Sequence, residues 1–487
     1  MLRSGCPSRE IAAEKAAPRS VESLLFVCAV LGTLAVLVPW WRLATLPYQI
    51  DYGEGLMLEG ALSLRQGRPL YPAASGLPVV LHVYGPLAYA VTAATLRLGH
   101  VSFTAGRVLI LFCALAVSAV IATMLRRWIG SLRIALAFGL ILLTLPAFRF
   151  WTYLLRADLF GIAISLSGLA LFALKPRYKY WSVLFFAAAL FCKYSLLAAP
   201  LAVFLHLLVT RQLRDAARFA TFLGLTCGAA FAVLQARTGG GFAFHMFSTH
   251  PDRYSLAQVG ALTGVVWLSA PVVTGLALFH VLREIRSREP DIPAIYFIAA
   301  SITSLTAGKL GSTTNHFLEW MVASCLCAGM GYAAAKSQYP RRLLQIIVAL
   351  VLSIAVGLSM QSWPSQQPYS ELSECSGIYD YVASSSSPRV LSQSLGPLLL
   401  AGKPVLLTDP FVYGQLVQHG MWSDSTLVRL VNERYFDVIL TAVDPGHIRA
   451  GDVNIWPPSL LEVMGRHYRV VKRFHCRDSS LILEPRP

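Results

Sequence analysis

Between residues 24 and 359 one apolar stretch follows another, and many reach the roughly 17–25 residues that a helix needs to cross a ~30 Å hydrocarbon layer. Of the 487 residues 55 % are hydrophobic and 14 % charged, against roughly 25 % charged in an average soluble domain, and mean hydropathy is +0.57. Such a chain cannot cover its apolar stretches with polar surface, so lipid is the expected solvent for the first three quarters. The expected fold is a polytopic α-helical membrane protein of about 11 transmembrane helices. The spans are read at 23–41, 105–125, 134–150, 158–174, 180–192, 195–210, 219–236, 258–282, 291–308, 316–335 and 343–359.

The formal charge of +16 would suit a polyanion, but the lysines and arginines sit in short clusters between apolar runs, which sets topology before it suggests nucleic acid, and none is expected as a partner. With the N-terminus inside, the segments 1–22, 126–133, 175–179, 211–218, 283–290 and 336–342 are cytoplasmic and hold 19 of the 41 Lys and Arg. The outer loop 42–104 holds only four in 63 residues. Residues 84–98 are apolar but short, and counting them as a span would put the Arg126, Arg127 and Arg133 cluster on the wrong side, so an interfacial or re-entrant helix is expected there and another near Gly55 to Gly67. Arg3, Arg9, Lys15 and Arg19 precede the first apolar run, which reads as a retained span rather than a cleaved leader. Domains follow as a cytoplasmic tail 1–22, a transmembrane domain 23–359 and an extracytoplasmic domain 360–487, in a bacterial inner or plasma membrane.

Beyond a polar tether at 361–372, short β-like runs at Pro404–Leu407, Asp437–Thr441, Tyr468–Val471 and Ser480–Leu483, with helical pieces near 411–419 and 424–434, predict a small C-terminal α/β domain. None of the nine cysteines has metal-ligand spacing, and most lie in spans. Cys375 and Cys476, alone in the exported domain, are either a disulfide or two separate thiols.

On this topology the polar residues near the hydrocarbon boundary gather on the outer face. Asp51 and Glu54 follow the first span, and Arg156 and Asp158 open the fourth. Lys193 lies between two short spans, Lys309, Asn315, His316 and Glu319 surround a later boundary, and His250 sits in the loop before the eighth. Tyr52, Tyr84 and Arg107 lie in or beside the same outer loop. Charges there carry a desolvation cost, so their convergence points to a site; the alternative is that they are interface anchors reaching outward. The chemistry would be group transfer at the outer face, with a carboxylate taking a hydroxyl proton and cations holding a departing phosphate.

The motifs Asp51-Tyr52-Gly53-Glu54-Gly55, Gly67-Arg68-Pro69-Leu70-Tyr71-Pro72 and Tyr84-Gly85-Pro86-Leu87 are followed by Ala105-Gly106-Arg107 and Arg156-Ala157-Asp158. Cys192-Lys193-Tyr194-Ser195 and Leu310-Gly311-Ser312-Thr313-Thr314-Asn315-His316 complete the series. In that order they resemble the GT-C class of membrane glycosyltransferases, which includes aminoarabinose and protein mannosyl transferases. The resemblance implies transfer of a sugar from a polyprenyl-phosphate carrier to an extracytoplasmic glycan, lipid or protein. It implies a catalytic carboxylate in the first outer loop, Asp51 first and Glu54 second; Arg156, Lys193 and Lys309, which the topology puts on one face, are the candidate partners of the donor phosphate. The spacing Asp-Tyr-Gly-Glu departs from the adjacent Asp-Glu pair of aminoarabinose-type relatives and leaves the division of labour open. Some members use a divalent cation, though no compact acidic motif here requires one, and no cofactor is certain. Phe411, Tyr413, Trp422 and Trp456 are either sugar-facing or packing residues. A transporter or lipid flippase, or a noncatalytic envelope assembly protein, is the competing reading; most spans lack central charges and no inverted repeat is visible.

Overall fold

The computed structural model describes residues 19–73, 76–96, 100–249, 253–359, 375–449, 451–474, 476 and 480–487. The expected tether, most of the N-terminal tail, and His250 lie outside them. The protein is an α-helical polytopic membrane protein with a small C-terminal β-sheet domain.

Among the described residues six helices are long and apolar enough to span: Glu22–Ala44, Thr104–Ile129, Ala157–Leu174, Leu213–Arg237, Thr314–Gln338 and Pro340–Ser359. A bent pair, Leu256–Leu268 with Pro271–Ser287, makes a seventh if counted as one, so the expected eleven is not reached. Sequence hydropathy measures the length of an apolar run and not where the helix within it stops. The run 134–150 breaks at Leu145, which is extended ahead of Pro146, leaving a helix of 13 residues over Leu132–Thr144. The runs 180–192 and 195–210 become Ser182–Leu190 and Ala198–Val209, of 9 and 12 residues, with Lys193 in the turn between them. Ile292–Ser304 has 13. At 1.5 Å per residue these are roughly 14–20 Å long, short of a ~30 Å core. The run 258–282 is bent by 102° ahead of Pro271, which has no N–H to continue the helix.

The helices share one large apolar core, yet Leu24, Leu31, Leu34 and Val38 on the first helix and Phe222, Leu225 and Val233 on Leu213–Arg237 are exposed. Exposed apolar surface on this scale suits lipid and not water. The first long loop folds as two helices, Tyr52–Arg65 and Pro86–Thr95, packed on each other. The first begins with a capping box. Asp51 accepts the Gly53 N–H, and Glu54 reaches back to the Asp51 N–H.

The C-terminal sheet has the order β1(Val390–Ser392), β2(Val438–Thr441), β4(Leu481–Pro485), β3(Tyr468–Arg473). β1 pairs parallel with β2, and the other neighbours are antiparallel. Three of the four expected runs are strands; Pro404–Leu407 is not in the sheet, and β1 takes its place. Leu407 instead bridges Val79 of the first loop in parallel, with Val79 N–H to Leu406 O at 2.8 Å and Thr408 N–H to Val79 O at 3.1 Å. The run satisfies its backbone on the membrane part of the molecule. Cys375 and Cys476 are disulfide-bonded, Cα to Cα 5.6 Å, across 101 residues, tying the helix Ser376–Ser384 to the end of the sheet.

Candidate active site

A cleft of about 280 Å³ opens where the first loop, the helix breaks and the C-terminal domain meet. It is walled by Asp51, Tyr52, Tyr84, Arg156, Lys193, Lys309, Asn315 and His316, all singled out from sequence, and by Trp151, Thr306 and Ser312. Asp409 and Phe411 close it from the C-terminal domain.

Asp51 enters because it is the N-cap of Tyr52–Arg65, where the extended backbone turns into the helix. Its Oδ1 accepts from the Gly53 N–H at 3.0 Å and from Arg156 Nη1 at 2.6 Å. A side chain at Gly53 would push Arg156 out of place, because a Cβ there would lie 1.9 Å from Arg156 Nη1. Arg156 is itself the cap residue of Ala157–Leu174 and lies over the rings of Tyr84 and Trp151, at 5.6 and 5.5 Å. Asp158, one residue into that helix, stands behind the wall, taking hydrogen bonds from Lys193 Nζ and from Asn315 Nδ2 at 3.1 Å. Its Oδ2 faces Arg156 Nε at 3.6 Å, and among the described residues neither buried atom has a hydrogen-bond partner. Lys309 differs from the other two cations: among the described residues no carboxylate lies within ion-pair distance of it. His316 Nδ1 shares a 2.8 Å hydrogen bond with Thr306. Burial drives the Tyr84 hydroxyl well above the usual phenol range, so it is a neutral donor.

Other residues named from sequence stand elsewhere. Glu54 and Arg107 are fully buried and paired to each other, Nε to Oε1 and Nη2 to Oε2, both 2.7 Å. Glu54 also accepts the N–H groups of Ile50, Asp51 and Leu155, while Arg107 donates to the carbonyls of Leu43, Leu46 and Tyr48. Neither lines the cleft. Glu319 is buried and accepts from the Ala198 N–H at 3.4 Å, holding the start of the helix after Lys193. Among the described aromatic residues of the C-terminal domain only Phe411 lines the cleft; Tyr413 and Trp456 are buried in the domain, and Trp422 stands against Phe244.

Sequence reasoning missed Asp409, Trp151 and Thr306. Asp409-Pro410 does carry a signal, an N-cap followed by Pro in the first turn, but that announces a helix and not its reach to the first loop. A second polar cluster, His280, Glu284 and Asp291, presents ligand atoms within 4.8 Å of one another, a donor set that suits a divalent cation. It sits at the Asp291 end of Ile292–Ser304, whereas Thr306 and Lys309 follow the other end, so it takes no part in the cleft.

No protein-family profile and no curated protein matches the sequence. Among solved structures, ArnT from Cupriavidus metallidurans bound to undecaprenyl phosphate aligns with TM-score 0.63 and 14 % identity over 93 % of this chain and 97 % of that one. Its apo state gives 0.63 and 13 % over the same shares. The Archaeoglobus fulgidus oligosaccharyltransferase in its apo form gives 0.54 and 10 % over 92 % and 72 %. At these identities the likeness shows a shared fold.

Proposed function

We propose that the protein is a membrane glycosyltransferase that moves a sugar from a polyprenyl-phosphate carrier to an acceptor hydroxyl, with Asp51 as general base. The observation that carries this is the cleft itself: it joins a cap-position carboxylate, a cation with no carboxylate partner among the described residues and a wall from the C-terminal domain, in a fold shared with a protein solved with undecaprenyl phosphate bound. The acceptor oxygen attacks the anomeric carbon, the bond from that carbon to the phosphate oxygen breaks, and the carrier phosphate leaves with the electron pair. Asp51 takes the acceptor proton. Charge grows on the leaving phosphate, and Lys309 is the cation for which no described carboxylate competes. Arg156 and Lys193 support the same wall while held by Asp51 and Asp158. When Asp51 is protonated, Arg156 has Asp158 Oδ2 at 3.6 Å to turn toward, so its charge is not stranded. Glu54 is the structural member of the pair, its oxygens being engaged by Arg107 and three backbone N–H groups.

The test is transfer by purified protein in nanodiscs from a panel of undecaprenyl-phosphate-linked sugars, followed by mass spectrometry. Asp51→Asn lowers turnover by about 100-fold or more with the protein still folded, within the 10²–10⁴ range of acid–base contributions; Lys309→Met weakens undecaprenyl phosphate binding and slows transfer. Unimpaired turnover by Asp51→Asn removes Asp51 from the role.

In this reading the cleft and residues 361–487 face outside and the N-terminus faces inside. The basic clusters support this, as does the disulfide, which suits an oxidising compartment. Reporter fusions after residues 130, 286 and 487 read inside, inside and outside; any other pattern overturns the orientation.

A further inference from the structure

The two sides of the cleft differ in chemistry. Arg156, Lys193 and Lys309 come from the membrane part, whereas the C-terminal domain contributes Asp409, Phe411 and Val412. Asp409 caps the helix Pro410–Gln418, accepting from the Val412 N–H at 3.0 Å and from the Tyr52 hydroxyl at 2.8 Å. The Phe411 ring packs on Gly311, whose φ of +80° and lack of a side chain leave room for it, since a Cβ there would lie 3.0 Å from the ring. An aromatic face beside a carboxylate and a phenol hydroxyl matches a sugar ring, with its apolar C–H face and its hydroxyl donors.

The charges narrow the ligand further. Leaving His316 aside, Asp51, Asp158 and Asp409 balance Arg156, Lys193 and Lys309 among the described residues. Arg156 and Lys193 are already engaged with Asp51 and Asp158. Among the described cleft residues that leaves Lys309 for the single negative charge of a phosphodiester donor and no further lysine or arginine for an anionic acceptor. A phosphate on the acceptor would meet Asp409 on the C-terminal side.

We propose that Asp409, Phe411 and Tyr52 form an acceptor subsite for an uncharged, hydroxyl-bearing carbohydrate. The inference rests on the glycosyltransferase reading for the word acceptor, but the subsite is tested by binding alone. Saturation-transfer NMR on the full-length protein in nanodiscs would use neutral gluco-, manno- and galacto-trisaccharides and their 6-phosphate counterparts as probes, with undecaprenyl phosphate in a separate arm.

At least one neutral trisaccharide binds, its 6-phosphate binds more weakly, and Phe411→Leu weakens neutral binding by about tenfold, or ~1.4 kcal/mol. Asp409→Asn, which keeps a competent N-cap, weakens neutral binding and strengthens the phosphorylated form. Lys309→Met weakens undecaprenyl phosphate binding and leaves trisaccharide binding unchanged. The subsite is overturned by phosphorylated probes binding as tightly as neutral ones, by wild-type affinity in folded Phe411→Leu, or by no neutral probe binding. Phe411-dependent trisaccharide binding without transfer from any donor would leave the subsite standing and overturn the glycosyltransferase reading instead.

Discussion

Two acidic residues three positions apart in the first loop end up in opposite environments. Glu54 faces inward, fully buried, with Arg107 and three backbone N–H groups around its carboxylate. Asp51 faces the cleft with its side chain 17 % exposed, and Arg156, which holds it, is 15 % exposed. Both are Arg–carboxylate pairs of nearly equal length, 2.7 and 2.6 Å. The sealed pair also satisfies the backbone where the first span runs into the Tyr52–Arg65 helix, while the open pair borders space that a ligand can enter. A short ion pair is therefore no guide to function until the remaining bonds of both partners have been followed.

The largest effect is expected at the sealed pair. Glu54→Gln or Arg107→Met leaves a charge uncompensated in the interior and destabilises the protein by about 3–5 kcal/mol, seen as a lower midpoint in fluorescence-detected thermal unfolding. The double variant Glu54→Leu with Arg107→Met sharpens the contrast. Many buried ion pairs can be replaced by apolar residues without loss, but here three N–H and three carbonyl groups lose their partners, so stability is not restored. Recovery of the wild-type midpoint by the double variant would refute the sealing role.

An intermediate effect belongs to the seam beyond the open pair. Thr408→Val deprives the Leu81 N–H of its 2.7 Å acceptor and costs about 1–3 kcal/mol, read as faster proteolysis between the membrane part and the C-terminal domain. Unchanged cleavage kinetics would show that the Thr408 hydroxyl does not secure the seam. The smallest effect is expected at the open pair itself, where Asp51→Asn keeps the cap and the size and shifts stability by less than about 1 kcal/mol. A drop as large as that of Glu54→Gln would erase the distinction between the two sites.

Much of this was legible. The ordered motifs brought Asp51, Arg156, Lys193, Lys309, Asn315 and His316 to one cleft because each stands at a loop or helix break on the same side of the predicted topology. The spacing Asp51-x-x-Glu54 is that of a capping box, in which one carboxylate serves the helix start. Its partner Arg107 lies 53 residues on, and nothing local announces the pairing. The helix count failed at Pro146 and Pro271, where apolar composition continues but the hydrogen-bond ladder does not, and at Ser182–Leu190, Ala198–Val209 and Ile292–Ser304, which are too short to span. Asp409 was invisible for another reason: its place in the cleft depends on the docking of a whole domain.

The bond between the Leu81 N–H and Thr408 joins residues 327 positions apart. At roughly 5–20 residues per second of synthesis, the first loop waits about 16–65 s for that partner to be made. During this interval the cleft has no outer wall, and the edge around Val79 is without its bridge to Leu407. The last quarter of the chain is thus the step that completes the site, so a truncated or stalled product would carry Asp51 and the membrane-side cations without the surface that closes over them.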